Sequence, residues 1–179
     1  MVMPAKRLTE MEVYHCVIPS PLGRLRLLGT ARGLSGLAME DEDGRPFLDS
    51  GSVDDASRFS AVIHQLREYF DGRLRRFEIP LDLRGTAFQL RAWRALMEIP
   101  YGQTCSYSAQ ALAIGQPRAV RAIGLANGRN PLPIVIPCHR VVGKNGLLTG
   151  YSGGLERKRF LLDLESHSMG CSLSRSSAM

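Results

Sequence analysis

Ser106-Tyr107-Ser108-Ala109-Gln110-Ala111-Leu112-Ala113-Ile114-Gly115-Gln116-Pro117-Arg118-Ala119-Val120-Arg121-Ala122-Ile123-Gly124-Leu125-Ala126-Asn127-Gly128 is the stretch whose reading decides the fold. Residues 106–113 read as a short helix with Ala109, Leu112 and Ala113 on one side, and Gly115 punctuates it. Pro117 suits the first turn of a second helix running to about Gly128, because the N–H it lacks would be unpaired there in any case. Two short helices joined by a tight glycine-containing turn make a helix-turn-helix, whose second helix enters a DNA groove. Helix pairs of this kind also arise as plain core packing. The second helix carries Arg118 and Arg121 beside Ala119, Ala122, Gly124 and Ala126. It reads as small-sided wherever it is not basic, which would let its backbone approach a nucleic acid closely.

Working outward, Phe88, Leu90, Trp93, Leu96 and Met97 predict a helix over residues 86–98, stopped by Pro100. Residues 73–85 read as a connector. Before it, residues 12–18, 24–28 and 34–39 read as short strands. Ser20-Pro21-Leu22-Gly23 forms a turn, since proline presets φ and glycine accepts a positive one. Phe59, Val62, Ile63, Leu66 and Phe70 have helical spacing, with Asp54 or Asp55 as the cap. The expected architecture is α+β. A small antiparallel sheet with a helix occupies residues 1–84 and shows no chemistry of its own. A mainly helical half with the helix-turn-helix occupies residues 85–166. Residues 167–179, polar and serine-rich, read as a disordered tail.

The net charge of +6 is unevenly placed. Residues 1–85 carry 12 Lys/Arg against 13 Asp/Glu, and residues 86–166 carry 10 against 4. A basic half suits a polyanion such as DNA, and an ordinary solvated basic surface fits equally. No apolar run approaches the roughly 20 residues that span a bilayer, and the first residues lack a signal-peptide stretch, so a cytoplasmic protein is expected. Cys16, Cys105, Cys138 and Cys171 are too scattered for a structural zinc site and should be free thiols. No metal or cofactor is expected.

The chemistry concentrates in Asn130-Pro131-Leu132-Pro133-Ile134-Val135-Ile136-Pro137-Cys138-His139-Arg140-Val141-Val142-Gly143. Three prolines in seven residues stiffen the chain, and Ile134-Val135-Ile136 should be buried. A thiol after such a lead-in is held in one place, as a nucleophile requires. A buried, inert cysteine also fits. Reactivity needs a base or positive charge nearby. His139 and Arg140 are candidates, and Glu165 could orient the histidine.

Pro137-Cys138-His139-Arg140-Val141-Val142-Gly143 resembles the active-site signature of the O6-alkylguanine-DNA alkyltransferases. The likeness covers residues 85–165. It takes in Phe88, Trp93, Pro100-Tyr101-Gly102, Ser106-Tyr107, Arg121-Ala122, Asn130-Pro131 and Tyr151-Ser152-Gly153-Gly154. The resemblance implies that Cys138 takes an alkyl group from O6 of guanine, or from O4 of thymine, leaving a thioether, so that each molecule acts once. It implies His139 as base through a water, Glu165 as its orienter, Asn130 as a brace for the turn, and Tyr107 or Lys158 as proton donor to the base. The nucleotide would be flipped from the duplex. Arg121 would fill the vacated space or contact phosphate, with Arg118, Ser106, Tyr107, Ala122 and Arg129 also at the DNA. Tyr151, Ser152, Gly153 and Val141 would wall the pocket. The expected partner is double-stranded DNA carrying O6-alkylguanine, bound by a monomer, with cooperativity on DNA open.

For the first half the resemblance implies a ribonuclease-H-like fold. That half lacks the cysteine cluster of family members that hold an N-terminal zinc, and position 138 is not the tryptophan of the non-repairing relatives. Two rival readings remain: a DNA-recognition module with Cys138 merely packed, and a thiol hydrolase that turns over repeatedly.

Overall fold

Alternation of apolar side chains builds the first sheet. In the computed structural model, which describes residues 12–40 and 51–174, β1 (Tyr14–Ser20), β2 (Gly23–Thr30) and β3 (Gly33–Met39) form an antiparallel meander. Cys16, Leu25, Leu27 and Leu37 fall on one face of it and are buried. The β1–β2 turn closes as read. Ser20 Oγ donates to the Gly23 carbonyl at 2.6 Å, and Gly23 has φ +92°, open to glycine at no steric cost. At the β2–β3 turn Gly33 has φ +142°, and a Cβ there would strike the Pro80 carbonyl. That contact zips the connector onto β3. Leu34 N donates to Pro80 O at 2.9 Å and Asp82 N to Leu34 O at 2.8 Å.

One strand was not foreseen. β4 (Val53–Asp54) pairs in parallel with β1, so the sheet has the order β3-β2-β1-β4 and is mixed rather than antiparallel. Asp55 then caps a short 3-10 turn (Ala56–Phe59), accepting from Ser57 N at 3.1 Å, and α1 (Ser60–Phe70) follows. Its buried stripe is Val62, Leu66 and Tyr69.

The second half begins with α2 (Ala87–Met97), whose start is fixed by a reciprocal cap. Gln89 N donates to Thr86 Oγ1 at 3.2 Å, and Thr86 N to Gln89 Oε1 at 2.9 Å. Trp93 is buried and donates Nε1–H to Ala126 O at 2.9 Å. Next come β5 (Cys105–Ser106), α3 (Tyr107–Ala113) and α4 (Val120–Gly128). Ser106 caps α3, and Gly115 turns the chain with φ +72°.

Three expectations need correcting here. Pro117 sits in a turn before α4 and not in its first turn; the helix begins at Val120, and Arg118 precedes it. Ala109, Leu112 and Ala113 face outward, Leu112 being 66% exposed, while Gln110 and Ala111 are the buried residues of α3. α4 is not small-sided throughout, since Leu125 is 67% exposed on it.

β6 (Val141–Val142) pairs in parallel with β5, joining Cys105 to Val141 and Ser106 to Val142. α5 (Leu155–Ser174) closes the chain. It continues through the start of the segment read as a disordered tail; residues 175–179 of that segment lie outside the described residues. One apolar cluster runs through both halves, from Leu25 and Leu66 to Trp93, Ile136 and Leu161. Leu37 N of β3 donates to Pro131 O at 2.8 Å, so the sheet edge also touches the proline-rich segment. Among the described residues no helix is long and apolar enough to cross a membrane.

The helix-turn-helix angle is locked by a buried amide pair. Gln110 Nε2 donates to Asn127 Oδ1 at 3.1 Å and to Ala92 O at 3.1 Å, and Asn127 Nδ2 donates to Gln110 Oε1 at 2.8 Å. Gln110→Ala strands the Asn127 amide, a loss of about 1–3 kcal/mol. A melting temperature lowered by roughly 3–10 °C is expected; an unchanged melt by circular dichroism would contradict the lock.

Candidate active site

Rigid backbone delivers the thiol. Leu132, Ile134, Val135 and Ile136 are buried, and Ile134 adopts φ +77°, a left-handed conformation seldom taken by a β-branched residue. Asn130, itself buried, braces the bend. Its Oδ1 accepts from Leu132 N at 3.0 Å, while Nδ2 donates to Ile136 O at 2.7 Å and to Cys138 Sγ at 3.1 Å. Cys138 then opens a short 3-10 turn (Cys138–Arg140) and is 5% exposed. Burial pushes its thiol up from the ordinary range; the Asn130 hydrogen bond and the Lys158 charge pull it back.

Next to the thiol lies a buried ionic cluster. Glu165 is fully buried on α5. Its Oε1 accepts from Tyr69 Oη at 2.8 Å, His139 Nε2 at 2.9 Å and Arg140 Nη2 at 2.8 Å. Its Oε2 accepts from Arg140 Nε and Gly102 N, both at 2.9 Å. Desolvation alone would raise the carboxyl, but the bonds from His139 and Arg140 win and hold it at about 2. An ionised Glu165 accepts from Nε2, so the neutral imidazole carries its proton there and keeps a lone pair on Nδ1. Nδ1 is buried and has no partner among the described residues. Desolvation pushes the imidazole below its ordinary value, with Glu165 opposing. A neutral base beside a thiol is the result.

A cavity of about 350 Å³ leads to Cys138. Tyr107, Gly124, Gly128, Thr149, Tyr151 and Ser152 line it, so α4 forms one wall and the 149–152 loop the other. Tyr107 Oη donates to the Thr149 and Gly150 carbonyls at 3.2 and 3.3 Å, and burial raises its phenol, keeping it a proton donor. Tyr151 Oη is buried with no hydrogen-bond partner among the described residues.

Of the residues singled out from sequence, Cys138, His139, Glu165 and Asn130 meet in one cluster, and Tyr107, Tyr151 and Ser152 line the cavity above it. Lys158 does not. Its buried Nζ donates to Val141 O at 2.6 Å and Thr149 O at 2.7 Å, so it clamps the loop to β6, and Thr149 O also takes the Tyr107 hydroxyl at 3.2 Å. Val141 is core and lines no part of the cavity; Gly153 borders the adjoining hollow against β3, where a Cβ would strike Met39 Sδ. Ser106 serves as the cap of α3. Arg118, Arg121 and Arg129 are exposed around α4, with Ala122 half-buried. Sequence reasoning missed Tyr69 and Thr149; it had Gly102 only within a turn motif, and Gly124 and Gly128 only as parts of the second helix. Arg140, first considered as a charge for the thiol, gives its guanidinium to Glu165 and to Ile99 O. Tyr69 had only the signal of a core aromatic at helical spacing.

The family model for the 6-O-methylguanine DNA methyltransferase DNA-binding domain matches residues 87–167, and that for the family's ribonuclease-like domain matches residues 13–83. This chain belongs to the 6-O-methylguanine DNA methyltransferase family. It is 49% identical over 153 residues to the methylated-DNA–protein-cysteine methyltransferase of Mycobacterium tuberculosis, covering 86% of this chain and 92% of that protein. The enzyme of the same name from Methanosarcina barkeri is 45% identical over 157 residues, 88% and 99% of the two chains. The crystal structure of M. tuberculosis OGT in complex with DNA superposes with a TM-score of 0.80 at 48% identity, over 87% of this chain and 94% of that one.

Glu165 makes stability pH-dependent in a defined direction. Its folded value lies below its ordinary 4.5, so the contribution is present above that pH and is lost as the pH falls through about 2. The shift is worth on the order of 3 kcal/mol. Glu165→Gln is expected to lose about that much at neutral pH, with the deficit shrinking on acidification. Urea unfolding of both proteins across this range checks it; parallel curves would contradict it.

Proposed function

We infer that this protein repairs DNA by moving an alkyl group from O6 of guanine onto Cys138 Sγ. The observation that carries the reading is the cavity between α4 and the 149–152 loop, with the thiol at its base beside an imidazole nitrogen that has no partner among the described residues. A water at His139 Nδ1 relays the thiol proton to the imidazole, and Glu165 stabilises the imidazolium that forms. The thiolate attacks the alkyl carbon in line; the S–C bond forms as the C–O6 bond breaks. The electron pair stays on the guanine oxygen, and Tyr107, the phenol in the cavity wall, supplies its proton. The thioether has no leaving group for water to displace, so each molecule acts once.

A guanine stacked in a duplex cannot reach a thiol at the base of a cavity, so the nucleotide is flipped into it. Gly124 and Gly128 at the rim let the α4 backbone come close, and the exposed Arg121 lies on the same helix. Arg121 occupies the vacated space, and Arg118 and Arg129 meet phosphates. Residues 85–166 hold the transfer and DNA-binding machinery, and residues 1–84 support it. The protein works as a monomer on DNA carrying O6-alkylguanine, and in the cytoplasm.

Intact mass spectrometry after incubation with O6-methylguanine duplex tests the core of this reading. One added methyl group on Cys138 is expected, and none in Cys138→Ala, which still binds DNA. Repeated turnover, or methylation of Cys138→Ala, would sink the mechanism. Arg121→Ala should slow transfer from duplex about tenfold or more while sparing single-stranded substrate; equal losses on both would reduce Arg121 to a phosphate contact.

A further inference from the structure

The transfer machinery receives one side chain from the other half of the molecule. Tyr69 lies on α1, is fully buried, and packs edge-on against Phe70 and Tyr101, with ring centroids 5.6 and 6.0 Å away. A phenylalanine would make those contacts as well. What the tyrosine adds is a hydroxyl that donates to Glu165 Oε1 at 2.8 Å, the same oxygen that His139 Nε2 reaches at 2.9 Å. The two donors are 3.5 Å apart and share one acceptor. Each hydrogen bond into that oxygen draws off charge that would otherwise favour a proton on the imidazole.

We propose that Tyr69 is a positioning residue for alkyl transfer, and that its hydroxyl, donated into Glu165 Oε1, limits the basicity of His139 and thereby sets the pH at which Cys138 becomes a thiolate. The proposal rests on the alkyl-transfer reading above. The groups facing the imidazole are Glu165 and Lys158 of α5, Arg140 beside it, Tyr69 of α1, and Cys138 before it. Tyr101 packs behind Tyr69, and Gly102 N holds the other carboxylate oxygen. Arg140 binds Glu165 through two nitrogens, so the carboxylate keeps its place when the phenol is removed. Tyr69 itself stays neutral and donating, since burial and the nearby carboxylate both push its phenol up.

Two isosteric changes move the donor in opposite senses. Tyr69→Phe deletes it, and 3-fluorotyrosine at position 69, with a more acidic phenol, strengthens it. The pH midpoint of Cys138 ionisation is read from thiolate ultraviolet absorbance, with Cys138→Ala as the blank, and from the rate of benzyl transfer out of free O6-benzylguanine. Tyr69→Phe should lower the midpoint by about half a unit or more, and fluorotyrosine should raise it. A midpoint unmoved in both proteins, or moved the same way in both, overturns the proposal. If the unaltered protein takes no benzyl group, the rate is read from O6-methylguanine duplex, and no transfer there either sinks the alkyl-transfer reading instead; the absorbance midpoints still decide the role of Tyr69.

Discussion

The site depends on keeping one carboxylate ionised inside the protein. An unpartnered carboxylate in the interior would take up a proton. Glu165 does not, because Tyr69, His139, Arg140 and Gly102 all donate to it. These donors come from α1, from the turn after α2 and from the segment beside the thiol, so no single element can assemble the cluster. Folding of both halves therefore precedes chemistry. The shared apolar core, which runs from the first sheet to α5, brings those elements to one point.

What could be read from the sequence was what local rules govern. The start of α2 near residue 86, the Ser20–Gly23 turn and the stripe of Val62 and Leu66 each depend on residues a few positions apart, and each appears where the spacing places it. β4 and the β5–β6 pair have two residues per strand, too few to show any period, and the latter joins Cys105 to Val141 across the whole helix-turn-helix. Residue type also misled. Leu112 reads as core because it is apolar, yet periodicity gives a face and not what lies opposite it. Lys158, which the resemblance offers as a proton donor, donates to the Val141 and Thr149 carbonyls, and the second of these also receives Tyr107 Oη. Cys138 and His139 were within reach because they are adjacent in one stiffened segment, whereas Asn130 came with the family resemblance. Tyr69 meets Glu165 across 96 positions, and nothing local marks it.

The β5–β6 pair links the two tasks of the second half. Ser106 both ends β5 and caps α3, and Val142 beside it follows the thiol-bearing turn by two residues. The α3–α4 helix pair, proposed above to meet DNA, and the segment that carries Cys138 thus share a rigid joint. Asn130, which leaves α4 two residues after its end, adds a second joint by bonding the sulfur itself. Precision of this kind matters for an in-line reaction, where small misplacements cost large factors in rate.

Ile134 shows how narrow the choice of residue can be at such a joint. Its left-handed backbone costs an L-residue about 1–2 kcal/mol, and its side chain is 1% exposed. Glycine would relax the bend but leave a void the size of the missing side chain. Asparagine tolerates the conformation, yet would place an amide among Leu132, Ile136 and their neighbours with no partner assured. The residues that favour this backbone are thus the ones the surroundings reject, and burial worth about 2–3 kcal/mol decides for isoleucine. Tolerance to substitution here is set by the conflict between shape and solvent, even though position 134 does not line the cavity at Cys138.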